Sequence, residues 1–149
     1  INIILIMAKH NNIIIPLLEK SLDNANNKNI SNLTFDTINK EKELIINELN
    51  LSKKSTNELL KKLKDYQYID EYPQLTEGRY IRWINLKNPE NIKLTNGGIL
   101  CEIKINDSIS LIMKNKNNVF FQIKLDETLI FQRLTNQEKI ILYAIDLVN

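Results

Sequence analysis

The chain has 149 residues and a formal charge of +2, with 43% hydrophobic and 26% charged residues. That is the composition of a folded domain and excludes a disordered acidic or basic tail. A charge this small excludes a chain-wide polycation and leaves room only for a local basic patch. The single cysteine, Cys101, excludes an intramolecular disulfide. No apolar run reaches the roughly 18 residues that a membrane helix needs, so a soluble chain in the cytoplasm is expected. Ile, Asn and Lys supply 64 of the 149 residues, against three Arg and three Gly. AT-rich coding produces such a skew, so lysine abundance alone carries little weight, whereas each retained arginine carries more.

The first six residues, Ile1 to Ile6, lack the basic leader and cleavage site of a signal peptide. Met7-Ala8-Lys9 is read as the start, with Ile1 to Ile6 as upstream sequence or a truncated frame. Pro16 suits the first turn of a short helix carrying Leu17, Leu18 and Leu22. The Asn-rich stretch after Ser21 reads as a linker, so residues 1–32 are expected to be an N-terminal extension and 33–149 a single α+β domain.

A helical hairpin is expected over 36–66. Asp36 is placed to cap a helix with Ile38, Leu44, Ile45 and Leu49 at helical spacing. After the turn at Asn50-Leu51-Ser52, Ser55 and Glu58 have the spacing of a capping box. The helix that follows carries Leu59, Leu60 and Leu63 on one side and Lys61, Lys62 and Lys64 on the other.

From Tyr66 the period becomes that of strands, and a β unit is expected over 68–134. Its strands are Tyr68-Ile69, Arg79 to Leu86, Ile92 to Leu94, Ile99 to Ile105, Ile109 to Lys114, Val119 to Leu125 and Leu129 to Gln132. Asn96-Gly97-Gly98 supplies positive-φ residues for a tight turn. Strict alternation would put Ile99, Cys101, Ile103 and Ile105 on one face, with Cys101 buried. Thr135 and Glu138 form a second capping box, opening a very apolar helix over 135–149 that covers the sheet or meets a partner. So many short strands predict an antiparallel meander or an SH3-like barrel, closed by the C-terminal helix.

Catalytic patterns are sparse. His10 is the only histidine, so a metal site of ordinary ligand spacing is not expected, nor is any cofactor. Asp70-Glu71 and Asp126-Glu127 read as solvated turn residues, and Asn96-Gly97-Gly98 lacks the following helix of a phosphate loop. The chain is expected to be a non-enzymatic binding or assembly module engaging a protein partner, itself or a nucleic acid.

Glu48-Leu49-Asn50-Leu51-Ser52 and the helix through Lys64 resemble the second and third helices of winged-helix DNA-binding domains. That resemblance implies a recognition helix presenting Lys53, Lys54, Asn57 and Lys61 to a groove, with Glu58 opposing phosphate. It also implies a wing built from Tyr68-Ile69 and Arg79 to Ile84, with Arg79 or Arg82 on phosphates. In Arg79-Tyr80-Ile81-Arg82-Trp83-Ile84, two of the three arginines and the only tryptophan fall within five residues. Alternation puts Tyr80, Arg82 and Ile84 on one face and Arg79, Ile81 and a core Trp83 on the other. Two arginines in so Arg-poor a chain point to bidentate or stacking contacts that lysine does not make, the alternative being buried salt bridges with Asp70, Glu71 or Glu77.

Gly78 to Leu86, Leu94 to Gly98 and Phe120 to Lys124 are similar to stretches of small proteins of giant, mimivirus-like DNA viruses. The similarity spans about residues 60–145 and brings no functional residues with it. It implies a viral origin and a setting in host cytoplasm, viral factory or virion.

Overall fold

A computed structural model of the protein describes residues 33–148, together with 16, 17, 19 and 20, which are helical. The extension expected over 1–32, including His10, otherwise lies outside the described residues. In chain order the elements are α1 (Phe35–Asn47), α2 (Lys53–Lys62), β1 (Tyr66–Ile69) and a 3-10 turn (Tyr72–Gln74). Next come β2 (Tyr80–Asn85), β3 (Gly98–Ile105), β4 (Ile109–Lys114), β5 (Phe120–Lys124), a second 3-10 turn (Leu125–Glu127), β6 (Thr128–Arg133) and α3 (Asn136–Val148). The α+β class is thus the observed one. Backbone contacts divide the chain into two compact units, one of them Lys42–Arg133 and the other joining Leu134–Asn149 to the chain up to Glu41.

The second of these units is built on two caps. Thr34 and Thr37 exchange hydrogen bonds, each backbone N–H donating to the other hydroxyl at 2.8 and 3.1 Å. Thr34, rather than the expected Asp36, therefore caps α1, and Asp36 lies inside the first turn in an ion pair with Lys40. At α3 the expected capping box is present: Thr135 N–H donates to the Glu138 carboxylate and Glu138 N–H to the Thr135 hydroxyl. Ile141, Leu142 and Ala144 of α3 are buried with Ile38 and Leu134, and Leu33 and Phe35 pack on the same cluster. Ile140, Tyr143 and Leu147 remain exposed on the helix.

Unit Lys42–Arg133 holds the whole sheet, an antiparallel array in the order β1-β6-β2-β3-β4-β5. The sheet is open, so the SH3-like barrel is corrected: β1 and β5 end the array instead of pairing with each other. Strands β2 to β5 run as a meander, and β6 then returns between β1 and β2. The connection from β1 to β2 is pinned across β6 by amides. Gln132 accepts from Thr76 N–H at 2.9 Å and donates to the Gln74 carbonyl, while Gln74 accepts from Asp70 and Glu71 N–H.

One face of the sheet carries Leu129, Phe131, Ile84 and Tyr66, and buries them against Ile46 of α1 and Leu59 and Leu63 of α2. Each fully buried aliphatic or aromatic side chain here contributes about 1.5–3 kcal/mol. The other face carries Ile69, Ile81, Trp83, Leu100, Leu111, Met113 and Ile130. Trp83 on β2 and Phe121 on β5 have ring centroids 6.2 Å apart. Three strand spacings separate those strands, about 14 Å in a flat sheet, so the sheet curls toward this face.

Two further expectations change in β3. Leu100 pairs with Met113 and Glu102 with Ile112, leaving Cys101 as the extra residue of a β-bulge. The bulge resets the alternation, so Leu100 is fully buried, Ile103 packs beside it, and Cys101 and Ile99 are exposed. Of the Asn96-Gly97-Gly98 turn only Gly97 has positive φ, at 90°. Before it, the segment around Ile92 to Leu94 supplies a single bridge, Ile84 to Leu94, in place of a strand.

A Cβ on Gly97 would sit 2.4 Å from the Ile81 carbonyl oxygen, whereas one on Gly78, at φ 88°, would meet nothing within 4 Å. Gly97→Ala should therefore cost roughly 2 kcal/mol or more, and Gly78→Ala roughly 1 kcal/mol. Urea unfolding of the two variants checks this, and equal losses would mean that the close approach at Gly97 carries no energy.

Candidate functional site

Helix α2 begins one turn earlier than the Ser55–Glu58 spacing suggests. Ser52 is its N-cap, accepting from Ser55 N–H at 3.1 Å, and it follows a turn in which Asn50 has a positive φ of 53°. Leu59 and Leu63 then point into the sheet, with Leu60 beside them, against Ile84, Tyr66 and Phe131. The opposite side is left to Lys53, Lys54, Asn57 and Lys61, all exposed and lining one shallow depression together with Glu58.

The C-terminal end of α2 is held by Lys42. This residue is only 3% exposed, and its ammonium donates to the Leu63 carbonyl at 2.7 Å and the Lys64 carbonyl at 3.3 Å. Those carbonyls belong to the end of a helix, where intrahelical partners run out and a cation is favoured. Burial pushes the Lys42 ammonium down from 10.5 to about 8, against the carboxylates of Asp65 and Glu43, which pull it back up.

A second depression adjoins the first at Lys61, which lines both. It adds Lys62 and Lys64 from the end of α2 and Arg82 and Arg133 from the sheet, so that five cations face one carboxylate, Asp65. The strand register explains why the arginines meet. Tyr66 of β1 pairs with Arg133 of β6, and Ile81 of β2 with Gln132. Continuing that register by one residue sets Arg133 beside Tyr80, so Arg133 lies between two tyrosines on the helix-bearing face. Burial raises the Tyr66 phenol, while the nearby Arg82 and Arg133 charges lower it.

Of the six residues singled out in the sequence, Lys53, Lys54, Asn57 and Lys61 share the first depression and Arg82 joins Lys61 in the second. Arg82 is oriented by its Nε–H, which donates to the Thr95 carbonyl at 2.8 Å. Arg79 precedes β2, and its guanidinium donates to the backbone carbonyl of Arg133. Arg82 and Arg133 therefore share the second depression, whereas Arg79 reaches the backbone at the end of β6 and does not line it. Arg133 was missed because it stands alone in the sequence; its rarity among so many lysines was the available signal.

Other candidates stay apart. The strands expected to form a wing do not make a hairpin, since β6 lies between β1 and β2. Glu127 forms an ion pair with Lys87 at 3.0 Å. Among the described residues no group of three or more His, Cys, Asp or Glu is placed to hold a metal ion, and no helix is long and apolar enough to cross a membrane.

The lowered pKa of Lys42 has a measurable consequence. Its folded-state value lies below the unfolded one, so between about pH 8 and pH 10.5 the unfolded chain holds a proton that the folded chain has released. Stability from this residue accordingly rises with pH over that window. Relative to Lys42→Met, the parent should gain roughly 1–2 kcal/mol between about pH 7 and about pH 9.5. Urea unfolding at the two pH values reads the change in the gap, and an unchanged gap would contradict it.

Comparison with protein-family models, with curated proteins and with solved structures finds no match for the chain.

Proposed function

We propose that this protein is a non-enzymatic binding or assembly module that engages a nucleic acid through the depression lined by Lys61, Lys64, Arg82 and Arg133. The observation that carries the reading is the meeting of Arg82 and Arg133 with Lys61, Lys62 and Lys64 in one depression. Fork-shaped guanidinium groups suit phosphate oxygens, and the flanking lysines add unspecific attraction. The viral setting inferred with it rests on composition and on the resemblance described above.

Recognition of duplex DNA by α2 is the alternative, favoured by the open face of Lys53, Lys54, Asn57 and Lys61. Such a reader would act without a wing hairpin from β1 and β2. The assembly half of the proposal has its own surface. β5 ends the sheet, Phe120 on it is 63% exposed, and an edge strand of that kind accepts a further strand from a protein partner or a second copy.

Mobility shift with single-stranded and duplex DNA at two salt concentrations tests the proposal. Binding should weaken steeply with salt, in proportion to the phosphates neutralised. Replacing the exposed Lys61, Lys64 and Arg133 together by alanine should weaken it about tenfold or more at low salt. Replacing Lys53, Lys54 and Asn57 should have the smaller effect; the reverse order, with duplex preferred, would favour the recognition-helix alternative. Absence of any shift at low salt would refute both.

A further inference from the structure

The arginine-lined depression borders a second feature of different chemistry. Tyr80 and Asn96 line it and also line a half-open cleft of about 740 Å³. The cleft exists because β2 and β3 pair only at Tyr80 with Ile99 and Ile81 with Gly98. Beyond that point β2 bonds instead to Thr95, whose N–H donates to the Trp83 carbonyl at 3.0 Å and whose hydroxyl accepts from Trp83 N–H at 3.2 Å. The Tyr80 hydroxyl donates to the Asn96 carbonyl and fixes the ridge between the two hollows.

Trp83 and Phe121 both line the cleft; Trp83 is 7% exposed and Phe121 42%, and the two rings are tilted by 59°. Asn96, Asn117 and Gln122 supply amide groups around them, and their side chains make no hydrogen bond among the described residues. Among the described residues, Lys116 is the one cation lining it. An aromatic surface surrounded by amides suits a flat ring with donors and acceptors on its edge, and the adjoining cations suit a phosphate attached to that ring.

We propose that the partner is a single-stranded nucleic acid whose phosphates occupy the arginine-lined depression while an unstacked base enters the cleft and stacks on Phe121. The amides of Asn96, Asn117 and Gln122 meet the edge of that base. This rests on the nucleic-acid reading above and narrows it, since a base held within a duplex cannot reach such a cleft. Base–aromatic stacking of this kind tolerates any sequence and is strong enough to be read as an affinity ratio.

The test uses the full chain, whose only tryptophan is Trp83, so its emission reports on the cleft. The probes are oligothymidylate, an abasic deoxyribose-phosphate strand and a duplex, all of one length. Oligothymidylate should bind about tenfold or more tightly than the abasic strand and should alone change Trp83 emission. Phe121→Leu keeps an apolar side chain against Trp83 and should bring oligothymidylate to the abasic affinity without altering abasic binding. Asn117→Ala, in the exposed turn, should weaken only oligothymidylate and guards against a folding defect in the first variant. Equal affinity for the two strands with unmoved emission would overturn the base-binding cleft while leaving the phosphate site standing. If neither strand binds at low salt, the nucleic-acid reading beneath it falls as well.

Discussion

The placement of β6 between β1 and β2 is the constraint on which the rest of unit Lys42–Arg133 depends. Five of the six residues of β6 are buried, with Ile130 facing one core cluster and Leu129 and Phe131 the other. A strand buried on both sides needs apolar residues on both, and Thr128 to Phe131 supplies them. Only Arg133, at the end of the strand, emerges. The same register that buries Phe131 opposite Arg82 and Tyr68 brings Arg133 level with Tyr66. The arginine cluster is thus a by-product of core pairing, and a one-residue slip would turn Arg133 to the opposite face.

The helices depend on that sheet face in turn. Ile46, Leu59 and Leu63 are buried only because Ile84, Leu129 and Phe131 present an apolar surface to them. Lys42 then ties α1 to the carbonyl end of α2, fixing where Lys61, Lys62 and Lys64 stand relative to the sheet. A buried ammonium is costly unless its hydrogen bonds are made, and two helix-end carbonyls offset that cost here. The connection is structural, yet it aims a lysine cluster at two arginines. A phosphate-bearing strand would meet a surface already assembled by core packing, with little left to order on binding.

Features set by local chemistry were legible in the sequence. The bounds of β4, the Thr135–Glu138 box opening α3, the leucine face of α2 and the separation of Tyr80 and Ile84 from Ile81 and Trp83 follow from short-range spacing. Features set by distant partners were not. The bulge at Cys101 breaks an alternation that looks regular over Ile99 to Ile105, because it answers to the pairing with β4. Lys42 reads as a surface residue, and its burial depends on carbonyls 21 and 22 residues away. Leu44, which fits the apolar spacing of α1, is 66% exposed, while Lys42 and Ile46 occupy the inward stripe. Four of the six site residues were legible as one helix face. The meeting of Lys61 with Arg82 and Arg133 required strand order, which local pattern does not encode.

The central claim is that Lys61, Lys64, Arg82 and Arg133 form a single nucleic-acid contact on the helix-bearing side of the sheet. Amide chemical-shift mapping of the full chain with a short single-stranded oligonucleotide tests it most directly. The account predicts shifts at Lys61 to Tyr66, Tyr80 to Arg82, Asn96 and Arg133, joined by Asn117, Phe121 and Gln122 where the base is seated, saturating together with one affinity. Shifts confined to the edge strand Phe120–Lys124 or to α3, or none in the arginine-lined depression, would contradict it.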